Sequence, residues 1–216
     1  MPRTLILVRH GEAEGSAPGV LCGRSDPGLS EEGRNQAARL QPVMAGLSGA
    51  RFLCSPLARA RQTADLALRG THAFAEADGG LQEMDFGQWE GLTYQQAAKK
   101  WPDLAAGWAE WRPDFGFPGG ETLAGFAARM AAVARRLAFP DPGDHAADRT
   151  GVAFTHGGVA RSLMCFFLGL PLQNYLLFDI APGSVAVLRL WEMRGVLSAL
   201  GPVDGLTGLI PKVGPA

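Results

Sequence analysis

The sequence predicts an α/β fold in which helices cover both faces of a mostly parallel sheet, that is, a three-layer α/β/α sandwich. Short apolar runs that stop at polar residues predict buried strands at residues 5–8, 51–54 and 152–155. Segments with apolar residues at helical spacing lie between them. With 216 residues, 47% of them hydrophobic and 19% charged, the chain has the composition of one globular domain rather than of a disordered protein.

Capping residues and glycines predict the elements of the first half of the chain. Residues 20–29 form a loop after the first strand, and Ser30 then caps a helix with apolar residues at helical spacing. A second helix begins behind the next strand, with Ser55 as its cap and Pro56 at its first position. Gly70 ends that helix.

The middle of the chain contains an aromatic insertion. Residues 71–92 are predicted to be mostly loop with a short strand near 73–75, and Thr93 and Gln96 form a capping-box pattern that opens a short helix. The insertion at about 92–120 is unusually aromatic, and its aromatic residues after the short helix are Trp101, Trp108, Trp111, Phe115 and Phe117. We expect this segment to be either a lid over a site or a satellite core under a long connection.

The second half returns to the alternating pattern. Its predicted elements are an amphipathic helix capped by Thr122, a polar loop at 140–149, an apolar helix at 159–168 ended by Gly169, and two pairing strands at 184–190 and 196–200. The sequence therefore predicts a single domain over residues 1–200 and a surface tail at 201–216.

Charge, hydropathy and cysteine content exclude several classes of protein. Lys and Arg total 20 against 21 Asp and Glu, and a net charge of −1 argues against general nucleic-acid binding. The most apolar stretch, 159–170, contains Arg161 and is shorter than the ~20 residues of a membrane span. The amino-terminal apolar run is too short for a secretory signal, so we expect a cytoplasmic protein. Cys22, Cys54 and Cys165 are widely spaced, which predicts reduced thiols. The oligomeric state stays open, a dimer included.

Residues capable of phosphate chemistry follow the predicted strands. Arg9 and His10 come directly after the first strand, His156 comes after the third, and Arg59 lies five residues beyond the second. Ligands of open α/β sheets bind beyond the carboxyl ends of the strands, so we expect these side chains at one rim. A neutral imidazole can attack phosphorus, and guanidinium groups bind phosphoryl oxygens, as do backbone N–H groups at a helix start such as Gly157. The combination predicts a phosphate pocket.

Two alternatives apply to these residues taken singly. A histidine at a strand end is often a surface residue, and a short RHG triplet occurs by chance. Two histidines with Glu83 could also hold zinc. Two neighbouring arginines would repel a cation, however, and the sequence has no HExxH or paired-carboxylate pattern, so no metal site is predicted.

Six segments together resemble the histidine phosphatase superfamily, which contains cofactor-independent phosphatases and cofactor-dependent phosphoglycerate mutases. The segments are LILVRHGEAEGS, LCGRSDPGLSEEGRNQA, FLCSPLARARQTA, LQEMDFGQWEGLTY, FPGGETLAGFAARM and VAFTHGGVARSL. They occur in the family's order over about residues 4–190. The Cys22-Gly23 loop and the string PGGET at 118–122 are most similar to the α-ribazole phosphatases of the family.

The resemblance implies a role for each matching residue. His10 would be the nucleophile that becomes phosphohistidine, and Glu83 would protonate the leaving oxygen. Arg9, Arg59 and His156 would hold the phosphoryl oxygens. The residues implied for substrate binding are Ser16, Cys22, Gly23, Arg24 and Gly157. No metal ion or organic cofactor is implied.

Four residues in or near these motifs are expected to differ from the family pattern or to have a role outside the chemical step. Ser16 stands where many relatives have Asn, and its shorter side chain puts the phosphate contact in doubt. Glu12 is expected to form structural hydrogen bonds rather than to serve as a second acid. Arg24 and Arg161 could contact the non-reacting part of a substrate, and for Arg161 we expect a solvated surface charge.

The predicted function is hydrolysis of a small phosphorylated metabolite, such as α-ribazole phosphate, through a phosphohistidine intermediate. One alternative is a cofactor-dependent phosphoglycerate mutase. A second alternative is a protein that binds phosphorylated ligands or a protein partner without turnover. The presence of His10, Arg59, Glu83 and His156 together favours an enzyme, because a binding protein needs no proton donor.

Overall fold

A mixed six-stranded sheet forms the centre of the protein. The computed structural model describes residues 3–47, 49–112, 114–138, 150–205 and 208. The strands are β1 (Arg3–Arg9), β2 (Arg51–Cys54), β3 (Glu76–Ala77), β4 (Thr150–Thr155), β5 (Ser184–Trp191) and β6 (Arg194–Pro202). Their order in the sheet is β3-β2-β4-β1-β5-β6. The pairings among β1 to β4 are parallel and those of β5 and β6 are antiparallel, which confirms a mostly parallel sheet.

Helices cover both faces of this sheet. They are α1 (Glu31–Ala38), α2 (Gln41–Ala45), α3 (Ala58–Ala67), α4 (Tyr94–Lys100), α5 (Pro102–Ala109), α6 (Leu123–Ala138) and α7 (Gly157–Leu168). Successive side chains of a strand point to opposite faces, and both faces of β1 are buried. Ile6 and Val8 belong to a core with residues of α2 and α3, whereas Leu5 and Leu7 belong to a second core with α6 and α7. The predicted three-layer α/β/α sandwich is therefore confirmed.

Local sequence signals place several helix ends where they were predicted. Ser30 caps α1 through its side chain, and Thr93 and Gln96 form both hydrogen bonds of a capping box before α4. Gly169 ends α7 with a φ of 69°, a left-handed conformation that favours glycine. The single helix predicted after Ser30 is divided into α1 and α2, and Pro42 lies in the first turn of α2.

The predicted start of the helix behind β2 is wrong. The sequence predicts Ser55 as cap and Pro56 at the first position, whereas α3 begins at Ala58. The Ser55 hydroxyl lies 2.8 Å from Nε2 of His156. The carboxylate of Asp26, from a loop distant in sequence, accepts the N–H of Ala58 at 2.6 Å. A tertiary contact thus replaces the local cap.

The short strand predicted near residues 73–75 is present but begins at Glu76. Ala73 and Ala75 are partly buried against the core on the α2 and α3 side but lie outside a strand. The strand β3 comes just after them and pairs with Leu53 and Cys54 of β2. Because β3 has only two residues, its position is decided by the strand beside it and not by its own apolar pattern.

The aromatic insertion contains a satellite core. Phe115 and Phe117 are buried with ring centroids 4.8 Å apart, and the ring of Trp108 lies 5.4 Å from that of Phe117. These rings surround the buried Trp89 and continue into the core below α6 and α7. These contacts agree with the expectation that the insertion forms a satellite core. That the insertion also moves as a lid over the site stays a prediction.

Two further sequence predictions fall largely outside the described residues. These are the polar loop at 140–149 and most of the surface tail at 201–216. The sheet itself extends past residue 200, because β6 ends at Pro202 and Val203 is buried. None of the helices in the described ranges is both long and apolar enough to cross a membrane.

Candidate active site

A cavity of about 550 Å³ lies at the carboxyl ends of the central parallel strands. Arg9 at the end of β1 lies opposite Thr155 of β4, and Cys54 of β2 lies opposite Phe154. The residues that directly follow these three neighbouring strands therefore lie together at one edge of the sheet. The inner lining of the cavity is Arg9, His10, Arg59, Glu83, Gly157 and Gly158, and the outer lining is residues 12–22, Phe86, Trp108, Arg161, Tyr175, Leu176 and Pro182.

His10 is held in one tautomer by its neighbours. Its Nδ1 lies 2.6 Å from the carbonyl oxygen of Gly11, which can only accept, so Nδ1 carries the proton. Nε2 accepts a hydrogen bond from Nε of Arg59 at 3.1 Å. Burial, reinforced by the positive charge of Arg59, lowers the pKa of His10 to about 3. The ring is therefore neutral at physiological pH, with its lone pair on Nε2.

Arg59 is fully buried, and carbonyl oxygens hold its guanidinium. Nη1 donates to the carbonyl of Ser25 at 2.7 Å, and Nη2 donates to that of Gly23 at 2.8 Å. The same loop is fixed from its other side by Glu90, whose carboxylate accepts the N–H groups of Gly23, Arg24 and Ser25. Arg59, the loop and Glu90 thus form one hydrogen-bonded unit that ends at His10.

The pKa of Glu90 reflects these bonds. Burial alone would raise the pKa of this carboxyl, but hydrogen bonds from the Ser25 hydroxyl and from backbone N–H groups outweigh burial and lower it. Glu90 is thus an anion that accepts several donors at once. It lies in the string QWEG of the segment that also contains Glu83.

His156 lies behind His10 and is completely buried. The two ring centroids are 5.0 Å apart in an edge-on arrangement. Burial and the adjoining His10 and Arg59 lower the pKa of His156 well below its usual range, so this ring is also neutral. Nε2 contacts the hydroxyl of Ser55, while Nδ1 has no hydrogen-bond partner among the residues that the structure describes.

Glu83 approaches the site through a glycine at the start of α7. Its Oε2 accepts the N–H of Gly158, the residue after the predicted donor Gly157, at 2.8 Å, so this N–H at the helix start binds a side chain of the protein. A Cβ at position 158 would lie 2.5 Å from Oε1 of Glu83, which is why this close approach needs glycine. Arg129 of α6 holds the segment before Glu83 by donating to the carbonyls of Gly80 and Gln82.

Arg9 and Arg161 are anchored to one loop. Nη1 of Arg9 donates to the carbonyl of Ile180 at 2.6 Å, and Nε of Arg161 donates to that of Phe178 at 2.8 Å. Burial and the charge of Arg161 lower the pKa of Arg9. The expected solvated charge at Arg161 is wrong, because this side chain lines the cavity and is only 22% exposed.

The structure separates the residues implied for substrate binding into two groups. Ser16, Cys22 and Gly157 line the cavity, whereas Gly23 and Arg24 are not part of its lining. Gly23 is buried, and a Cβ there would lie 2.0 Å from the carbonyl oxygen of Met84. Arg24 donates a hydrogen bond to the side chain of Gln82. Both therefore support the loop that holds Arg59.

Sequence reasoning missed four residues of this region. They are Ser55, Glu90, Arg129 and Tyr175. A position directly after a predicted strand was a usable signal for Ser55, since His10 and His156 follow strands in the same way. The other three come from segments whose approach to the site depends on packing. Among the described residues, no group of three His, Cys, Asp or Glu side chains is arranged to hold a metal ion.

Comparison with known proteins identifies the family to which this fold and this site belong. Residues 5–201 match the model of the histidine phosphatase superfamily (branch 1), and the chain belongs to this superfamily. A glucosyl-3-phosphoglycerate phosphatase of Mycobacterium tuberculosis is 31% identical over 179 residues, which cover 80% of this chain and 78% of that protein. An adenosylcobalamin/alpha-ribazole phosphatase of Salmonella typhimurium is 30% identical, with 91% and 95% covered.

A solved structure agrees with the sequence comparison. The crystal structure of a putative alpha-ribazole-5'-P phosphatase from Escherichia coli superposes with a TM-score of 0.80 at 26% identity, and covers 93% of this chain and 97% of the other. The predicted resemblance to histidine phosphatases, α-ribazole phosphatases among them, is confirmed. The protein is a hydrolase of the phosphatase type, and its phosphatase relatives support the predicted phosphomonoesterase activity.

Proposed function

We propose that the protein hydrolyses phosphomonoesters through a phosphohistidine at Nε2 of His10. The observation that carries this proposal is the pairing of a neutral His10, whose lone pair is on Nε2, with the guanidinium of Arg59 at 3.1 Å. A neutral imidazole is a competent nucleophile, and a fixed cation beside it stabilises the charge on the phosphoryl oxygens in the transition state.

In the first step, Nε2 of His10 attacks phosphorus and the bond to the ester oxygen breaks. Glu83, in its protonated form, gives its proton to the departing alcohol. Glu83 lines the cavity, and the N–H groups of Met84 and Gly158 fix the position of its carboxyl group there. This position supports the role of a proton donor. In the second step, the Glu83 carboxylate takes a proton from water, the water oxygen attacks phosphorus, and the N–P bond breaks to release inorganic phosphate.

The phosphoryl oxygens would be held by Arg9, Arg59 and His156. Nε of Arg9 and Nδ1 of His156 are buried and have no hydrogen-bond partner among the described residues, which supports a contact of each with a bound phosphoryl group. Arg9 lines the cavity, whereas His156 lies behind His10 and is not part of the lining, so its contact requires a small shift of the side chains around it. The positive charges of Arg9 and Arg59 take the place that a metal ion has in other phosphoryl-transfer enzymes. We therefore propose that the reaction needs no metal ion.

The alcohol part of the substrate would occupy the outer cavity. Phe86, Trp108, Tyr175 and Leu176 give this region a largely apolar wall, and a volume of about 550 Å³ exceeds the needs of a phosphate alone. Two of the relatives are named for different phosphorylated compounds, one for alpha-ribazole and one for glucosyl-3-phosphoglycerate. α-Ribazole phosphate thus belongs in the set of candidate substrates.

The test combines trapping of the intermediate with one variant. Rapid quenching with a labelled phosphomonoester should give a base-stable, acid-labile phosphoprotein that is absent from His10→Ala. That variant should keep its fold but lose nearly all turnover of p-nitrophenyl phosphate. Turnover by the wild-type protein should survive an excess of chelator. Retention of more than about a tenth of the activity would contradict the covalent mechanism, since removal of a nucleophile costs several orders of magnitude. Strong interconversion of 2- and 3-phosphoglycerate would instead favour a mutase.

A further inference from the structure

Arg161 supplies the cavity with a cation that the proposed phosphoryl chemistry does not use. It lies three residues after Gly158 on α7 and four after Gly157, so the three residues share one face of the helix. All three line the cavity. Arg161 therefore faces the same space as the phosphate-binding groups, but further along the helix from them.

Much of the guanidinium of Arg161 is available for binding. Only Nε forms a hydrogen bond to a described residue, the carbonyl of Phe178. Nη2 lies 3.9 Å from a carboxylate oxygen of Asp179, whose side chain is fully exposed. An ion pair this long and this exposed contributes little. The two Nη groups thus form a fork of donors suited to a planar carboxylate.

The distance between Arg161 and the phosphate site is limited by the loop that anchors both arginines. Arg9 donates to the carbonyl of Ile180 and Arg161 to that of Phe178. Two residues of chain span at most about 7 Å. The two guanidinium groups are also near enough for the charge of Arg161 to lower the pKa of Arg9, so one small substrate can contact both.

We propose that Arg161 binds a carboxylate on the alcohol part of the substrate. The substrate class is then a phosphomonoester with a carboxylate a few bonds from the ester oxygen, and any larger substituent lies along the apolar wall. α-Ribazole phosphate has no carboxylate, so this inference removes it from the candidate substrates. The inference rests on the proposed function of His10, because the position of the phosphoryl group sets the position of the carboxylate.

The surrounding groups favour a carboxylate over a second phosphate. Tyr175 lines the cavity, and burial together with the charge of Glu83 raises its pKa to about 12, so its hydroxyl stays a neutral donor. One arginine and one neutral hydroxyl match a single negative charge, whereas the second charge of a phosphate dianion would be left without a partner. The carboxylates of the facing segment have partners of their own, since Glu12 accepts from Ser30 and Glu14 lies 3.6 Å from Arg34.

The experiment compares two substrates that differ at the proposed contact. 3-Phosphoglycerate carries a carboxylate where glycerol 3-phosphate carries a hydroxymethyl group. We expect the wild-type protein to have the higher kcat/KM for 3-phosphoglycerate. In Arg161→Gln the ratio of the two kcat/KM values should fall at least about ten-fold, mainly through KM, as expected for loss of a charge-assisted hydrogen bond.

Two further variants separate binding from structure. Asp179→Asn removes the ion pair but keeps the positive charge of Arg161. The ratio of kcat/KM for 3-phosphoglycerate to kcat/KM for glycerol 3-phosphate should therefore stay within about two-fold of wild type. Arg161→Lys keeps a charge without the fork, so its ratio should lie between those of wild type and Arg161→Gln. Equal losses on both substrates in Arg161→Gln, or no preference for 3-phosphoglycerate in the wild type, would overturn the inference. Failure of the proposed function would appear separately, as no phosphoprotein at His10 with any substrate.

Discussion

Nε of Arg59 donates a hydrogen bond to Nε2 of His10 at 3.1 Å. The atom that accepts this bond is the one that we propose as nucleophile. When a phosphoryl group arrives, Nε2 must direct its lone pair to phosphorus, and Arg59 must transfer its donor from the ring to a phosphoryl oxygen. The guanidinium thus orients the resting histidine and then becomes available to the charge that develops in the transition state.

Replacement of Arg59 by lysine should remove both roles. A lysine has one ammonium group and cannot reach His10 and the carbonyls of Gly23 and Ser25 together. We expect kcat/KM for p-nitrophenyl phosphate to fall by about 10²-fold or more, as when one transition-state donor is lost. Arg61→Lys, at an exposed position of the same helix, is the matched control and should be close to wild type. Similar activity of the two variants would disprove the role of Arg59.

The neutral state of His10 should be visible in its titration. Burial and the charge of Arg59 lower its pKa to about 3, so nuclear magnetic resonance of labelled histidine should show Nε2 unprotonated at pH 5. Between about pH 3 and 6.5 the unfolded chain binds a proton here that the folded protein does not. His10 therefore makes the free energy of unfolding decrease as the pH falls through that range. Titration of His10 near pH 6.5 in the folded protein would contradict this prediction.

A change of Glu83 to glutamine should have an effect that depends on the leaving group. Alkoxides leave poorly without a proton, whereas p-nitrophenolate leaves without one. Glu83→Gln should therefore reduce kcat for an alkyl phosphate far more than kcat for p-nitrophenyl phosphate. The comparison is made on one enzyme preparation, so the concentration of folded protein cancels. Equal losses on the two substrates would place the general acid elsewhere.

An added methyl group at Gly158 should produce the same dependence on the leaving group as Glu83→Gln, without a change of Glu83 itself. A Cβ there would lie 2.5 Å from Oε1 of Glu83, so the carboxylate must shift from its present position and lose its hydrogen bond to the N–H of residue 158. Gly158→Ala should again hydrolyse alkyl phosphates worse than p-nitrophenyl phosphate. Gly79→Ala is the control, because a Cβ at that position meets no atom within 4 Å. If Gly158→Ala behaves like the control, the position of Glu83 does not depend on this glycine.

Glu90 should act as a positioning residue for Arg59. Its carboxylate accepts N–H groups of Gly23, Arg24 and Ser25, while the carbonyls of Gly23 and Ser25 accept from Arg59. An amide has one accepting atom and adds two donors, so Glu90→Gln should disorder the loop. We expect kcat to fall about ten-fold, the lower end of the range for loss of a group that orients a residue of the site. The pKa of His10 should rise at the same time, because Arg59 moves away from it.

A structural role alone would give a different result for Glu90. Glu90→Gln would then lower the temperature of unfolding but leave kcat and the titration of His10 unchanged at a temperature where the variant is folded. Glu90→Asp keeps both carboxylate oxygens and should recover part of kcat. No recovery in Glu90→Asp, together with an unchanged His10 titration, would contradict the positioning role.

The sequence by itself determined the fold class and the location of the site along the chain. Apolar runs at β1, β2 and β4 predicted parallel buried strands, and the carboxyl ends of parallel strands meet at one edge of a sheet. The sequence therefore predicts that His10 and His156 lie near each other. Local capping signals at Ser30, Thr93 and Gly169 likewise fixed helix ends, because these hydrogen bonds involve residues that are adjacent in sequence.

Only the tertiary structure decided how side chains distant in sequence meet. Asp26 caps α3 in place of Ser55, and Ser55 contacts His156 instead. Glu90 reaches the loop that holds Arg59 across more than sixty residues of chain. Arg161, expected on the surface, lines the cavity. Such contacts depend on the packing of whole elements against one another, so no pattern within a short window of sequence specifies them.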